Sequence, residues 1–89
     1  MNYTQNTYNL VNDLERRLQA NLNIINEYQV PKSTYDKTIK NIKFIDSQVN
    51  NAFKRGESED RIASVIANNY IPYAEKQYDH LRWYMNRTG

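Results

Sequence analysis

Several residue types on which common protein chemistry depends are scarce or absent in this chain of 89 residues. It has no cysteine, which excludes disulfide bonds and thiolate chemistry. Its one histidine, His80, cannot by itself form a zinc site of the usual kind. The two glycines, Gly56 and Gly89, are too few for a glycine-rich phosphate loop. No apolar run is long enough to span a membrane, and we expect no membrane association and no cofactor.

The length and polarity of the chain limit the size of its core. A chain of 89 residues has room for one core, so residues 1–89 are predicted to form a single helical domain. A hydrophobic content of 39% and a mean hydropathy of −0.94 indicate an economical core, which favours a homo-oligomer. The first six residues have neither a basic nor an apolar stretch, so no secretory signal is expected and the predicted location is cytoplasmic.

Apolar residues recur at steps of three and four in three segments, which are separated by Pro31, Gly56 and Pro72. This spacing places each set on one face of a helix. The three stripes are Leu10, Val11, Leu14, Leu18, Leu22, Ile25, Tyr28; Tyr35, Ile39, Ile42, Ile45, Val49, Ala52, Phe53; and Ile62, Val65, Ile66, Tyr70, Tyr73, Tyr78, Leu81, Met85. The pattern predicts an all-α fold, an antiparallel three-helix bundle with helices at about 6–29, 34–55, 59–71 and 72–87.

Pro72 leaves two forms of the third helix open. Because proline removes a backbone hydrogen bond, the helix is either kinked there or broken, and a break gives four helices. The apolar phase runs from Ile66 through Tyr70 and Tyr73 to Leu81, which favours one continuous, kinked element. Since this element is longer than the other two, we expect its C-terminal half to extend partly beyond them.

Capping residues indicate where the helices begin. Asn6 and Thr7 are candidate N-caps of the first helix, because their side-chain oxygens can accept amide protons of the first turn. Ser33 is the predicted N-cap of the second helix, with Asp36 three residues later as in a capping box. Ser58, followed by two acidic residues, is the predicted N-cap of the third.

Positive charge is concentrated in residues 31–56, which carry a net charge of +4, whereas residues 1–30 and 57–89 each carry −1. The candidate anion-binding residues in this segment are Lys37, Lys40, Lys43, Lys54 and Arg55. Such a set suits a nucleotide, a phosphate backbone or an acidic partner. The alternative interpretation is a solvated helix face that keeps the protein soluble. The overall charge of +2 is far from that of a dedicated DNA-binding protein.

Aromatic residues and arginines are interleaved near the C-terminus. The candidate partner-binding residues there are Tyr73, Arg82, Trp83, Tyr84 and Arg87. Aromatic and arginine side chains together dominate the energetics of protein interfaces, and they also stack on bases and bind phosphates. The alternative is that these rings fill a small core. Eight tyrosines against two phenylalanines argue for boundary or interface positions, because each buried hydroxyl needs a hydrogen-bond partner.

No residue pattern predicts an enzyme. Asp79 and His80 are adjacent and therefore do not face each other on a helix. The acidic residues Glu57, Glu59 and Asp60 lack the spacing of a calcium loop, and capping of a helix explains them. A helix-turn-helix is disfavoured, because its recognition helix would begin with these acids and meet phosphates.

The sequence therefore favours a small non-enzymatic binding protein that docks its aromatic and arginine surface onto a partner protein. Its size and composition suit a regulator or inhibitor of a host protein, carried by a phage or mobile element. The alternative is an oligomeric protein that sequesters a nucleotide or another anionic ligand, with lysines on its phosphates. A second alternative is weak binding of nucleic acid, which is disfavoured by the low net charge.

Overall fold

The computed structural model describes residues 3–87 and confirms the all-α bundle. The helices are α1 (Gln5–Glu27), α2 (Lys32–Lys54), α3 (Glu59–Val65) and α4 (Ile71–Arg87). A π-helical segment, Ile66–Tyr70, joins α3 to α4 without a break, so the bundle has three continuous helical elements. No strand occurs within the described residues. The molecule is elongated, with principal extents of 46 × 20 × 17 Å.

The chain runs up, down and up, so consecutive elements are antiparallel and the first and last are parallel. The hydroxyl of Thr7 contacts Glu59, and Asn21 contacts Ala74, which shows that α1 and the α3–α4 element begin at the same end. The most extensive packing in the bundle is between α1 and α4. Since α2 and α4 both approach α1 more closely than they approach each other, α1 is the central element of the bundle.

The core consists of two neighbouring clusters along the bundle axis. The larger cluster joins all the elements, and its buried members are Leu14, Leu18, Ile42, Ile45, Val49, Ile62, Ile66, Ile71 and Ala74. The smaller cluster joins the ends of α1 and α4 through Ile24, Ile25 and Leu81, with Tyr84 and Met85 packed against it. We expected the C-terminal half of the third helix to extend beyond the other two, and this prediction is wrong. The end of α1 packs against α4 as far as Met85.

The π-helical segment changes which side of the last helix faces the core. Ile66 and Ile71 are both buried although they are five residues apart, and the Ile71 amide donates to the Ile66 carbonyl. Pro72 follows directly; it has no amide proton, and its ring would crowd the preceding carbonyls in a regular α-helix. The extra residue turns Ala74 inwards, whereas Tyr73, a member of the predicted apolar stripe, is 41% exposed.

The predicted N-cap residue is correct for α3 and wrong for α1 and α2, although each helix begins within two residues of its predicted start. Ser58 is the N-cap of α3, and its hydroxyl accepts a hydrogen bond from the Arg61 amide at 3.3 Å. Thr4, rather than Asn6 or Thr7, is at the N-cap position of α1, and Pro31, rather than Ser33, is at that of α2. Proline pre-organises the backbone for a helix start. Gly56 adopts a φ of 69° after α2, as expected for a glycine that ends a helix.

One carboxylate serves the N-termini of two parallel helices. Glu59 is the first residue of α3, and its Oε1 accepts hydrogen bonds from the Thr4 amide at 2.5 Å, the Thr4 hydroxyl at 2.6 Å and the Thr7 hydroxyl at 2.6 Å. These bonds lower the pKa of Glu59, and the positive ends of both helix dipoles favour the same charge. Thr7 is buried because it faces this carboxylate instead of capping its own helix.

A buried amide fixes α1 against α4. Asn21 is completely buried, and its Nδ2 donates to the Ala74 carbonyl at 3.1 Å and to the Gln77 Oε1 at 2.8 Å. Ala74 has a small side chain, which lets α1 approach the backbone of α4 this closely. The Oδ1 of Asn21 has no hydrogen-bond partner in the described residues. Because a buried amide tolerates few alternative positions, this contact sets the register of the two helices.

We expect Thr7→Val to lower the free energy of unfolding by about 1 kcal/mol, because the isosteric side chain removes one buried donor to the Glu59 carboxylate. Thr4→Val is the matched control: its hydroxyl is exposed and its amide still donates to the same oxygen, so its effect is smaller. Urea denaturation followed by circular dichroism measures both. Equal stability of Thr7→Val and the native chain would contradict the shared cap.

Candidate functional site

The last turns of α4 hold an ordered cluster of aromatic and basic side chains. The Trp83 and Tyr84 rings meet edge to face, with centroids 4.9 Å apart. The guanidinium of Arg87 lies over the Trp83 ring, 4.5 Å from its centroid. Trp83 is 52% exposed, whereas Tyr84 is half-buried against the smaller core cluster. Tyr84 therefore anchors the cluster to the fold, while Trp83 presents its indole to solvent.

The loop between α1 and α2 completes this surface. A shallow cavity of about 480 Å³ is lined by Gln29, Val30 and Pro31 from the loop and by Trp83, Tyr84 and Arg87 from α4. We call these six residues the C-terminal surface. Two chain segments that are distant in the sequence thus form one concave patch, in which the loop supplies apolar groups and α4 supplies rings and a cation. Such a mixture is typical of the centre of a protein interface.

The structure brings together three of the five predicted partner-binding residues. Trp83, Tyr84 and Arg87 belong to the C-terminal surface. Arg82 lies beside it and faces Asp79, with 4.0 Å between Nη1 and the carboxylate. Tyr73 lies ten residues before Trp83, or about 15 Å along the helix, and lines a different groove.

That second groove lies between α2 and α4. Its two cavities, of about 370 and 300 Å³, share Asn41 and Tyr73. We call the residues that line both cavities the α2–α4 groove; they are Ser33, Thr34, Lys37, Thr38, Asn41, Phe44, Ile45, Asn69, Tyr70, Tyr73, Lys76, Gln77, His80 and Leu81. The groove lies where α2 and α4, which both pack on α1, approach each other less closely than either approaches α1.

The predicted anion-binding residues do not converge on one site. Lys37 lines the α2–α4 groove, where α4 adds Lys76 and His80, which sequence reasoning missed as members of this set. Lys40, Lys43 and Lys54 are exposed and do not line the groove. The guanidinium of Arg55 is 2.7 Å from the Glu57 carboxylate, and this bond lowers the pKa of Glu57. The steps from Tyr73 to Lys76 and His80 are helical, but their common target appears only when α2 is in place.

A third groove, between α1 and α4 on another side of the bundle, holds ion pairs. Asp13 is 2.7 Å from the Arg16 Nη2 and 3.3 Å from the Arg17 Nε, and Arg17 also lies 3.8 Å from Glu75. Burial disfavours the charged form of Asp13, but the hydrogen bond from Arg16 and the charge of Arg17 outweigh it and lower its pKa. Asp13 and Glu75 line this groove, of about 390 Å³, together with both arginines. Its charges are therefore largely matched within the protein.

The remaining candidates have structural partners. Glu59 binds Thr4 and Thr7, and Glu57 lies 3.0 Å from Arg61. Asp79 faces Arg82, while the His80 ring meets Tyr84 edge to face at 6.2 Å. Within residues 3–87, no group of three or more histidine or acidic residues is arranged to hold a metal ion.

Two carboxyl groups from different helices lie side by side. Partial burial and a hydrogen bond to Asp46 of α2 raise the pKa of Glu15 in α1 to about 7. The Oδ1 of Asp46 is buried and has no hydrogen-bond partner among the described residues, so a second negative charge beside it is disfavoured. Sequence reasoning missed this pair, since neither residue has a distinctive neighbour in its own helix. The contact forms only when α1 and α2 pack.

Stability should fall as the pH rises from about 4.5 to about 7, because the folded chain holds a proton on Glu15 that the unfolded chain releases. Glu15→Gln keeps a donor for Asp46 without the charge. We expect it to remove this pH dependence and to raise the free energy of unfolding at pH 8 by about 1 kcal/mol, a modest gain because solvent screens the pair. Glu27→Gln, an exposed carboxyl on the same helix, is the control and should leave the slope unchanged. Urea titrations at several pH values measure the free energy of unfolding of each variant. If its dependence on pH is the same in Glu15→Gln as in the native chain, the pairing of Glu15 with Asp46 is contradicted.

No model of a known protein family, no curated protein and no solved structure matches this chain. Within residues 3–87, no helix combines the length and apolar character that a membrane crossing requires. The functional argument therefore depends on the surfaces themselves. Of these, the C-terminal surface and the α2–α4 groove combine exposed aromatic rings with cations.

Proposed function

We propose that this protein is a non-enzymatic binding protein that attaches to a partner protein through its C-terminal surface. The observation that carries the proposal is the exposed Trp83 indole, held between Tyr84 and the Arg87 guanidinium at the edge of a concave patch. Tryptophan and arginine are enriched in binding hot spots, and here the two side chains stack on each other beside apolar loop residues.

Pre-organisation supports the same proposal. The edge-to-face contact with Tyr84 and the stacked guanidinium of Arg87 restrict the rotamers of Trp83 before any partner arrives. A restricted side chain loses less conformational entropy on binding, so more of its interaction energy appears as affinity. The loop residues Val30 and Pro31 add apolar surface with little freedom to lose.

Several finer expectations accompany the proposal. A homo-oligomer, a cytoplasmic location and a role as a phage or mobile-element inhibitor of a host protein all stay predictions. Native mass spectrometry of gently purified protein tests the first of them and also detects a retained small ligand. Sequestration of a nucleotide has weaker support, because Lys37 lines a groove while Lys40 and Lys43 do not share it. Weak binding of nucleic acid has no observation that favours it over a protein partner.

We expect Trp83→Ala to weaken the complex with the partner by about 2 kcal/mol, or roughly 30-fold, because the hot-spot ring is lost. Tyr8→Ala is the matched control, since Tyr8 is a similarly exposed ring, 48% accessible, at the opposite end of the bundle. The native chain and both variants are immobilised, and the proteins that each retains from a lysate of the source cells are quantified by mass spectrometry.

The informative proteins are those retained by the native chain and by Tyr8→Ala but lost with Trp83→Ala. Their affinity is then measured by calorimetry with purified components. Circular dichroism verifies that Trp83→Ala keeps its helices, which we expect because half of the ring is already in solvent. A retained set that does not differ between the native chain and Trp83→Ala would contradict the proposal.

A further inference from the structure

We propose that the α2–α4 groove binds an acidic amphipathic helix of the partner protein. This inference rests on the proposed function and specifies the chemistry of the partner. The helix would lie between α2 and α4, next to the C-terminal surface, with its apolar face on the floor of the groove and its carboxylates towards the groove's cations.

The shape of the groove suits a bound helix. The backbones of α2 and α4 approach each other less closely than either approaches α1, and an open groove lies on the surface between them. The open side extends along α4 from Asn69 to Leu81, which is about 18 Å, or three turns of a bound helix. Two helical walls with an open seam between them are the surface into which an amphipathic helix packs.

The floor and rim of the groove suit the apolar face of such a helix. Ile45 and Leu81 form its floor and are buried, whereas Phe44 and Tyr73 stand at its rim and are 59% and 41% exposed. The two rings come from different helices and flank one cavity. Exposed rings beside a concave floor favour an occupant with leucine-like side chains.

The charges identify the occupant as acidic. The groove's basic side chains are Lys37, Lys76 and His80, and none of its residues is an aspartate or a glutamate. Neither lysine takes part in an ion pair within the described chain, whereas Arg16 and Arg17 in the α1–α4 groove are paired. Unmatched cations that line an apolar groove are complementary to a partner that carries carboxylates beside its apolar residues.

A polypeptide fits these observations better than a nucleic acid. The cations are few and stand at one end of the groove, while a phosphate chain is bound mainly through many contacts along its length. The Trp83 ring next to the groove has one face already covered by Arg87, which reduces its use as a stacking platform for bases.

The test uses the full chain, labelled with nitrogen-15, and four probes. The first is a synthetic helical peptide with leucines at helical spacing flanked by glutamates, and the second is the same peptide with glutamine for every glutamate. The others are a short single-stranded oligothymidylate and ATP. We expect the acidic peptide to shift the amide signals of Lys37, Phe44, Tyr73 and Lys76, and the glutamine peptide to bind roughly tenfold more weakly.

Charge reversal provides the matched variants. Lys37→Glu combined with Lys76→Glu should weaken the acidic peptide by tenfold or more, whereas Lys43→Glu combined with Lys54→Glu makes the same charge change on the outer face and should have little effect. All four lysines are exposed, so both double variants should keep the fold.

Three outcomes would overturn the inference: no shifts in the groove with the acidic peptide at millimolar concentration, equal binding of the two peptides, or groove shifts with oligothymidylate or ATP instead. The same variants test the binding role of the groove separately from that of the C-terminal surface. The double variant Lys37→Glu, Lys76→Glu could retain the same partner as the native chain while Trp83→Ala loses it. In that case the groove does not bind the partner, and the proposed function of the C-terminal surface stands.

Discussion

The phase change at the π-helical segment is the constraint on which the rest of the molecule depends. Ile66 and Ile71 both reach the core across five residues, because the segment accommodates one residue more than an α-helical turn would. Every side chain after it is therefore rotated relative to the pattern of α3. Ala74 meets α1, and Tyr73 and Lys76 turn towards α2. A regular helix through Pro72 would give α4 a different face for binding.

The contact between α1 and α4 fixes the position of α4 and leaves an open groove between α4 and α2. Asn21 reaches the Ala74 carbonyl, and the small side chain of Ala74 lets the two parallel helices pack closely. With α4 held on α1, α2 packs mainly on the other flank of α1. The space left between α2 and α4 is thus a consequence of the most extensive interface in the bundle.

The number, type and direction of the helices follow from the sequence, because apolar spacing and the signals at Gly56 and Ser58 are local. The errors come from contacts between elements. Thr7 has the side chain of a cap, but the Glu59 carboxylate of another helix binds it instead. Tyr73 follows the apolar phase of α3, and only the π-helical segment turns it outwards. Local patterns carry no information on which residue of a second helix will lie opposite.

In the candidate site, too, the sequence predicts groupings within one helix but not groupings between elements. Trp83, Tyr84 and Arg87 could be grouped from the sequence, since they lie within one turn of a helix. Their partners from the loop, Val30 and Pro31, could not, because the antiparallel return of the chain decides that proximity. The grouping of Lys37 with Lys76 likewise depends on the spacing between α2 and α4.

The distribution of the two kinds of cation explains why a net charge of only +2 is compatible with an anionic partner. Five arginines, Arg16, Arg17, Arg55, Arg61 and Arg82, lie within 4.0 Å of a carboxylate of this chain. Lys37 and Lys76 have no such partner in the described residues and line the groove. Guanidinium groups suit fixed, bidentate pairing, whereas a lysine ammonium is a flexible point charge. The internal pairs cancel most of the charge without reaching the groove, so its field stays positive. In the proposed complex, the lysines would attract an acidic segment from a distance, while Trp83 and Phe44 would supply the short-range contacts that hold it.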